Sequence, residues 1–279
     1  GPGRPRLSGA LSSAAMSPFV DTHAHLGDAQ FDADRDAVFA RAAAAGVGRI
    51  VEIADHPDEW TRAAAIARAR PDNVRCCLGL HPYYADRYDD GFLARLRAAL
   101  DAAPEAVAIG EIGLDYAKTD ISHDVQMRAF AALACAGRDW DVPLVIHCRD
   151  AYHDLIPMLE KTFPRKPEAR RFWGVVHCFT GTPEDAAACA RLGFALGADG
   201  PLTYKKNDAL REGFRRAGPD VAVLETDCPY LPPQSSRGKR NEPAAIAEIA
   251  ALLADVFGVP LEQVAAETTK NGLELYRLY

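Results

Sequence analysis

The stretch that decides the fold runs into two histidines one residue apart, and it reads Phe19-Val20-Asp21-Thr22-His23-Ala24-His25. Its apolar start is typical of a buried strand. In an extended strand alternate side chains share a face, so His23 and His25 point the same way with Cα atoms about 7 Å apart. Two imidazoles placed in this way can hold one metal ion. Because His-x-His also occurs by chance, the metal interpretation depends on further ligands in the same context.

Four further candidate ligands each end an apolar run of the chain, and they are Glu111, His147, His177 and Asp227. Considered alone, either histidine would more often be a hydrogen-bonded core residue. Asp227 considered alone could be a helix cap or part of a structural ion pair. The carboxylate of Glu111 must be hydrated, paired or bound to metal, because burying it alone is unfavourable. The repetition of one context at five strand ends indicates a single metal-binding cluster.

Short apolar strands alternate with amphipathic helices in eight units, which indicates a parallel sheet covered on its outer side. Eight units in about 250 residues are the size of a closed (β/α)8 TIM barrel, whose sites lie at the C-terminal ends of the strands. An open doubly wound sheet is the alternative, but it would have to gather strands one, four, five, six and eight at one crevice. We therefore predict an α/β fold of the closed-barrel type.

One domain is expected. Residues 1–17 are rich in Gly, Ala, Ser, Pro and Arg, so we interpret them as a flexible N-terminal segment or an expression remnant. Residues 18–279 are assigned to a single barrel domain. Its last part, residues 260–279, is predicted to form two helices outside the barrel, with Thr268, Thr269 and Asn271 between them.

The composition is that of a globular protein, with 48% hydrophobic and 25% charged residues. No apolar run approaches the roughly 20 residues that span a bilayer, so no membrane partner is expected. Seven cysteines, an odd number, argue against a disulfide framework and favour a reducing compartment, so we predict a cytoplasmic location. We also expect the protein to be a monomer. The net charge of −7 makes non-specific duplex binding unfavourable, although local Lys and Arg clusters follow two proposed strands.

Seven motifs, in order along the chain, resemble those of the TatD family of metal-dependent hydrolases. They are Asp21-Thr22-His23-Ala24-His25, Gly79-Leu80-His81-Pro82, Gly110-Glu111-Ile112-Gly113-Leu114-Asp115-Tyr116, His147-Cys148-Arg149-Asp150, His177-Cys178-Phe179-Thr180-Gly181, Glu225-Thr226-Asp227-Cys228-Pro229-Tyr230-Leu231 and Arg240-Asn241-Glu242-Pro243. The resemblance implies a TIM-barrel metallohydrolase with two divalent metal ions that acts on phosphodiesters, described in this family as a deoxyribonuclease, often 3′ to 5′ on single strands. Some family members lack the first histidine pair, and its presence here favours a complete two-metal site.

The resemblance also implies how the ligands divide between the two ions. The first ion would be bound by His23, His25, Glu111 and Asp227, and the second, to which Glu111 bridges, by His147 and His177. Mixed nitrogen and oxygen ligands are compatible with Mg, Mn, Zn, Fe or Ni, so the sequence does not select the ion. Two such ions would activate a water molecule and clamp the attacked phosphate.

Three residues are the candidates for catalysis: Asp227, Glu111 and His81. Asp227 is the candidate general base, because an acid on the last strand can both bind metal and accept the proton of the water. His81 would stabilise the phosphate or protonate the leaving oxygen, and an orienting role is the alternative. The candidate substrate contacts are Arg149 and Tyr204, which lie in loops after strands. For both residues the alternative is a structural role, in an ion pair or in packing.

The chain departs from the family pattern after the seventh strand, where family members usually have a serine and small apolar residues. Here the sequence reads Gly197-Ala198-Asp199-Gly200-Pro201. A carboxylate at the mouth of the barrel would repel phosphate if it faced the site. The orientation of Asp199 therefore bears on substrate preference.

The leading prediction is a metal-dependent phosphodiesterase, a DNase that acts 3′ to 5′ on single-stranded DNA or an oligonucleotide. One alternative keeps the barrel and the metals but hydrolyses an amide, a lactone or an aminoacyl ester, since related barrels use the same ligands for many reactions. A third interpretation is an inactive nucleic-acid-binding protein. It predicts missing ligands and a basic face, and the sequence has neither.

Overall fold

The structure, a computed structural model, describes residues 19–279. The predicted N-terminal segment 1–17, and residue 18, lie outside the described residues. Eight strands form one sheet in sequential order, and each strand pairs in parallel with the next. The strands are β1 (Phe19–Ala24), β2 (Val47–Ala54), β3 (Val74–Leu78), β4 (Ala106–Asp115), β5 (Leu144–Arg149), β6 (Gly174–Val176), β7 (Phe194–Ala198) and β8 (Ala222–Leu224).

Hydrogen bonds between the first and last strands close the sheet into a barrel. The hydroxyl of Thr22 donates to the carbonyl of Leu224 at 3.0 Å. Just beyond β8 the amide of Asp227 donates to the carbonyl of His23 at 2.9 Å, and the amide of His25 donates to a carbonyl of the same segment. The predicted closed (β/α)8 barrel is thus confirmed, and the seam lies beside three of the predicted metal ligands, His23, His25 and Asp227.

Helices follow the strands on the outside of the barrel. They are α1 (Arg35–Ala44), α2 (Pro57–Arg68), α3 (Phe92–Ala102), α4 (His123–Asp139), α5 (Tyr152–Thr162), α6 (Pro183–Leu192), α7 (Asp208–Ala217), α8 (Ile246–Phe257) and α9 (Leu261–Tyr276). Among residues 19–279 no single helix is long and apolar enough to cross a membrane. Residues 243–257 and 261–276 together would be long and apolar enough, but the two helices are bent by 107° at the break between them.

The prediction of two helices at the C-terminal end is wrong, because α9 runs unbroken from Leu261 to Tyr276. Polar residues that suggested a break are accommodated inside the helix. The hydroxyl of Thr268 donates to the carbonyl of Val264 one turn back at 2.7 Å. The amide of Asn271 donates to the carbonyls of Pro219 and Ala222 at 2.9 and 2.7 Å, which ties the helix to the start of β8.

The interior of the barrel is apolar toward the N-terminal ends of the strands. Inward side chains there form one buried cluster: Val51, Ile53, Cys77, Ala108, Val145, Val175, Ala195 and Val223. Leu275, Tyr276 and Leu278 pack against this cluster and close the N-terminal end, and we call these three residues the floor. Helix α9 therefore lies outside the barrel along β1 and β8, as predicted, while its last turn reaches the interior core.

Candidate metal centre

The six predicted metal ligands lie together at the C-terminal edge of the barrel. Each lies at the end of a strand or within a few residues after it, so the parallel arrangement brings them to one rim. His23 belongs to β1 and His25 follows it, Glu111 and His147 belong to β4 and β5, His177 follows β6, and Asp227 follows β8. All of these side chains are buried except that of His25, which is partly exposed.

Glu111 lies at the centre of the group, and its two carboxylate oxygens face different histidines. Oε2 lies 3.3 Å from Nε2 of His23 and 3.7 Å from Nε2 of His25. Oε1 lies 2.8 Å from Nδ1 of His147 and 2.8 Å from Nε2 of His177. One carboxylate is thus shared between two sets of imidazoles, which is the arrangement that a bridging ligand requires.

Asp227 completes the first set. Its Oδ1 lies 3.3 Å from Nε2 of His23 and 3.2 Å from Nε2 of His25, and these two ring nitrogens are themselves 3.2 Å apart. The backbone of Asp227 has a φ of 56°, in the left-handed region that non-glycine residues adopt at a cost. The amide of Asn241 holds this segment by donating to the carbonyls of Thr226 and Tyr230 at 2.8 and 2.7 Å.

The donor set fits divalent metal ions. Three groups of residues each offer ligand atoms within 4.8 Å of one another: His23 with His177 and Asp227, His23 with His25 and Glu111, and His81 with Glu111 and His147. Imidazole nitrogens and carboxylate oxygens are ligands of zinc and of other first-row metal ions. Because Glu111 and His23 each belong to two of the groups, the residues form one continuous centre.

The charges of this centre compensate one another. Burial by itself would raise the pKa of Glu111, but the histidines around it, chiefly His177, hold that pKa well below its usual value. Burial disfavours the charged form of His25 and would lower its pKa, but the hydrogen bond to Asp227 raises that pKa to about 10. The carboxylate of Asp227 therefore favours a proton on the ring of His25, and a metal ion bound there would take the place of that proton.

Carboxylates behind the ligands orient two of the histidine rings. Oδ2 of Asp115 lies 2.8 Å from Nε2 of His147, and Oε1 of Glu225 lies 3.4 Å from Nδ1 of His177. Gly197 makes room for Glu225, because a Cβ there would lie 2.4 Å from the carboxylate carbon. Outer carboxylates of this kind fix the ring orientation of metal-binding histidines. Sequence reasoning missed Asp115, although it shares a strand face with Glu111 at a spacing of four.

His81 joins the centre from the loop after β3. Its Nε2 lies 3.5 Å from Oε1 of Glu111, and its Nδ1 accepts a hydrogen bond from the amide of Tyr83 at 3.1 Å. The neutral ring therefore carries its proton on Nε2, toward the carboxylate. Burial, with the nearby His147, lowers the pKa of His81 to about 4, so the neutral form prevails.

The two predicted substrate contacts are placed differently. Arg149 lines the central cavity, and its guanidinium donates to Oδ2 of Asp115 and to the hydroxyl of Tyr83, both at 3.2 Å. Tyr204 is not among the residues that line this cavity. Its hydroxyl donates to the carbonyl of Pro232 at 3.0 Å, and Arg237 covers its ring at 4.2 Å. The structure brings Arg149 to the ligands and leaves Tyr204 apart from them.

Asp199 points inward but lies below the cavity surface. Its side chain is buried and is not part of the cavity lining. Burial, with the nearby Glu225, raises the pKa of Asp199 well above its usual value, so the carboxyl group is neutral. The repulsion of phosphate that an exposed carboxylate would cause is therefore absent.

The ligands line a cavity of about 650 Å³ that opens at the C-terminal end of the barrel. Arg149 stands at one side of the opening. Three acidic residues, Asp28, Asp55 and Glu59, from the loops after β1 and β2 and from α2, also line the cavity, and we call them the acidic side. Arg62 of α2 lines the cavity as well. The cavity thus combines a metal centre with an uneven distribution of charge.

A closed parallel barrel with histidines and carboxylates converging at its C-terminal edge defines the class of metal-dependent hydrolases of the TIM-barrel type. A family model described as TatD related DNase matches residues 20–277. The chain belongs to the TatD family of metal-dependent hydrolases, as its motifs predicted.

Three similar proteins illustrate the relationship. An uncharacterized metal-dependent hydrolase, YabD of Bacillus subtilis, is 35% identical over 258 residues, 92% of this chain and 98% of the relative. A protein of Erwinia billingiae named 3′-5′ ssDNA/RNA exonuclease TatD is 33% identical over 92% of this chain and 98% of its own length. The crystal structure of YJJV, a TatD homologue from Escherichia coli, has a TM-score of 0.86 and 30% identity, covering 94% of this chain and 99% of that one.

Proposed function

We propose that this chain is a two-metal phosphodiesterase that removes nucleotides from the 3′ end of single-stranded DNA or of a short oligonucleotide. The observation that carries the proposal is the shared carboxylate of Glu111, with one oxygen toward His23 and the other toward His147 and His177. Several relatives of similar length are named as 3′-5′ ssDNA/RNA exonucleases, which supports the substrate class and the polarity.

His23, His25, Glu111 and Asp227 would hold one ion, and Glu111, His147 and His177 the other. When bound, two divalent ions lower the pKa of a water molecule and offset the charge that develops on the attacked phosphate. The neighbouring carboxylates of Asp115 and Glu225 keep the rings of His147 and His177 in position for this task.

Asp227 is the proposed general base. Its Oδ1 faces both histidines of the first set, which leaves Oδ2 to accept the proton of the attacking water. Asp227→Asn should retain part of the bound metal and lose nearly all turnover, by about 1,000-fold, because the amide cannot accept that proton. Metal content and kcat measured on the same preparation test this role, and an active Asn variant would assign the base to another residue.

His81 and Arg149 would act on the phosphate. His81 presents its Nε2 proton inside the centre, where it can donate to a phosphate oxygen or to the leaving oxygen. Arg149 stands at the rim with its side chain about a third exposed, so it can pair with a non-bridging phosphate oxygen. Tyr204 has no such position, and we do not assign it a substrate contact.

A second candidate function is hydrolysis of an aminoacyl ester or a related amide or lactone by the same centre. The acidic side of the cavity favours it, because Asp28, Asp55 and Glu59 suit a cationic group and oppose a long polyanion. The third interpretation, an inactive nucleic-acid-binding protein, predicts missing ligands, and the close approach of the six proposed ligand side chains argues against it. A cytoplasmic location and a monomeric state complete the proposal, and size-exclusion chromatography with light scattering tests the latter.

The decisive experiment titrates Mg, Mn, Zn, Fe and Ni separately into the metal-free protein and follows three substrates. These are a single-stranded oligonucleotide labelled at its 5′ end, a p-nitrophenyl phosphodiester and an aminoacyl ester. A ladder shortened one nucleotide at a time from the 3′ end is expected. Glu111→Ala is the control, and a control that cleaves as fast as the parent would show that another protein or site is responsible.

A further inference from the structure

Exposed aromatic rings are concentrated at the mouth of the metal centre. Among residues 19–279 only four large apolar side chains are exposed: Tyr83, Tyr84, Tyr230 and Tyr279. The first three line the central cavity, and Tyr279 is the last residue of the chain. Exposed apolar surface beside a site marks a place where a ligand binds.

Tyr230 stands beside the first set of ligands. Its ring packs edge to face against His25, with the two centroids 5.7 Å apart, and its side chain is 47% exposed. The hydroxyl donates to Oδ2 of Asp28 at 2.7 Å, which fixes the direction of the ring. Tyr230 therefore presents an aromatic surface to the cavity next to the first ion-binding group.

Tyr83 has the corresponding position beside the second set. Its ring packs edge to face against His81, with the centroids 4.3 Å apart, and its side chain is 38% exposed. Its hydroxyl accepts a hydrogen bond from Arg149 at 3.2 Å, so one rim cation is already held against it. Tyr84 differs, because its ring packs on His56 and not on a histidine that contacts Glu111.

Resting on the proposed function, we propose that Tyr83 and Tyr230 stack the two nucleobases on either side of the scissile phosphate. The two rings contact histidines of opposite halves of the centre, and Glu111 lies between those halves. A phosphate held at Glu111 would therefore place its flanking bases toward the two rings. Stacking on aromatic rings tolerates any base, because every base has a π face.

The charges around the cavity limit the number of nucleotides that its mouth can bind to a few. Asp28, which accepts a hydrogen bond from the hydroxyl of Tyr230, repels a phosphate backbone that continues beyond that ring. The overall charge of −7 offers no compensating long-range attraction. Base stacking supplies affinity that does not depend on phosphate charge, so a short end of a single strand is the substrate form that this mouth fits.

The test compares two oligonucleotides of one sequence, one intact and one with abasic tetrahydrofuran units at its last two 3′ positions. Each stacked base contributes about a 10-fold gain in affinity. The metal-loaded parent should therefore cleave the intact strand with a kcat/KM about 100-fold above that of the abasic strand. Tyr83→Ala and Tyr230→Ala should each lose about 10-fold on the intact strand and little on the abasic strand.

Three further variants complete the design. Tyr83→Phe and Tyr230→Phe keep the aromatic face and should retain most of the preference for the intact strand. Tyr279→Ala removes a more exposed ring that does not line the cavity and should change neither rate.

Alanine variants that lower cleavage of both strands equally would overturn the stacking role, because a general structural defect does not distinguish the strands. Equal rates of the parent on both strands would overturn it as well, while leaving the phosphodiesterase proposal standing. If the parent cleaves neither strand but hydrolyses the aminoacyl ester, the proposed function fails, and the stacking role fails with it.

Discussion

The two ends of the barrel interior are built from opposite kinds of side chain, although the same strands supply both. On β5 the inward residue Val145 belongs to the apolar cluster, and two positions later His147 belongs to the metal centre. Val175 of β6 and His177 beyond it repeat this step. A step of two residues, about 7 Å, thus separates packing from chemistry. The fold therefore assigns stability and function to different heights of one interior.

The two ends differ in how their polar atoms are satisfied. At the floor the hydroxyl of Tyr276 donates to the carbonyl of Thr22 at 3.0 Å, so the ring is buried without an unpaired polar atom. At the mouth Nδ1 of His23, Oδ2 of Asp199 and Oε2 of Glu225 are buried without a hydrogen-bond partner. Buried polar atoms without a hydrogen-bond partner are unfavourable, so each of these three atoms lowers the stability of the mouth locally.

The largest effect is expected at the mouth, from Glu111→Ala. Loss of the shared carboxylate should remove both ions from their sites and lower kcat/KM by about 1,000-fold or more. Chelation should lower the melting temperature of the parent and leave that of the variant nearly unchanged, because only the parent gains stability from bound metal. Metal analysis and thermal unfolding check both points, and full metal occupancy of the variant would contradict the bridging role.

Next in size is a change at the floor, Tyr276→Ala. Removing this buried ring should lower the free energy of unfolding by about 3 to 5 kcal/mol, since a cavity remains below the apolar cluster. Metal content and kcat of the folded fraction should stay close to those of the parent, because Tyr276 contacts the backbone of Thr22 and the apolar cluster rather than a candidate ligand side chain. Urea unfolding measures the loss, and Tyr279→Ala is the matched control with little expected change. A selective loss of metal would contradict the separation of the two ends.

A smaller effect is expected behind the ligands, from Glu225→Gln. The amide keeps the volume of the side chain but interacts less strongly with Nδ1 of His177 than a carboxylate does. We expect metal affinity or kcat to fall by about 10-fold. Metal titration measures the affinity, and kinetics at saturating metal measure kcat. If neither metal affinity nor kcat changes, the ring of His177 is held by other contacts.

The smallest effect is expected from Asp199→Ser, the one departure from the family pattern. Because the carboxyl group is buried below the cavity surface, its removal should change cleavage of an oligonucleotide by less than about 3-fold. Initial rates at low and high salt measure this. A large, salt-dependent gain in rate would show that Asp199 repels the substrate after all.

Much of the site could be predicted because its residues carry a local signature. A histidine or an acid at the end of one apolar run decides little alone, but the same context recurs at His23, Glu111, His147 and Asp227, and this recurrence indicates a site. Local sequence patterns predict secondary structure less well where a polar residue is hydrogen-bonded to a distant part of the chain. Asn271 resembles a helix breaker in the sequence, yet it caps the start of β8 from the middle of α9.

The order and spacing of apolar and ionisable residues in the sequence are enough to predict the alternation of strands and helices, the barrel class and the candidate ligands. Only the tertiary structure decided which atoms meet. It turned the two oxygens of Glu111 toward different histidines, buried Asp199, and placed Tyr83 and Tyr230 on opposite sides of the centre. The physical reason is that these contacts join residues far apart in the chain, and closure of the barrel alone fixes their distances and directions.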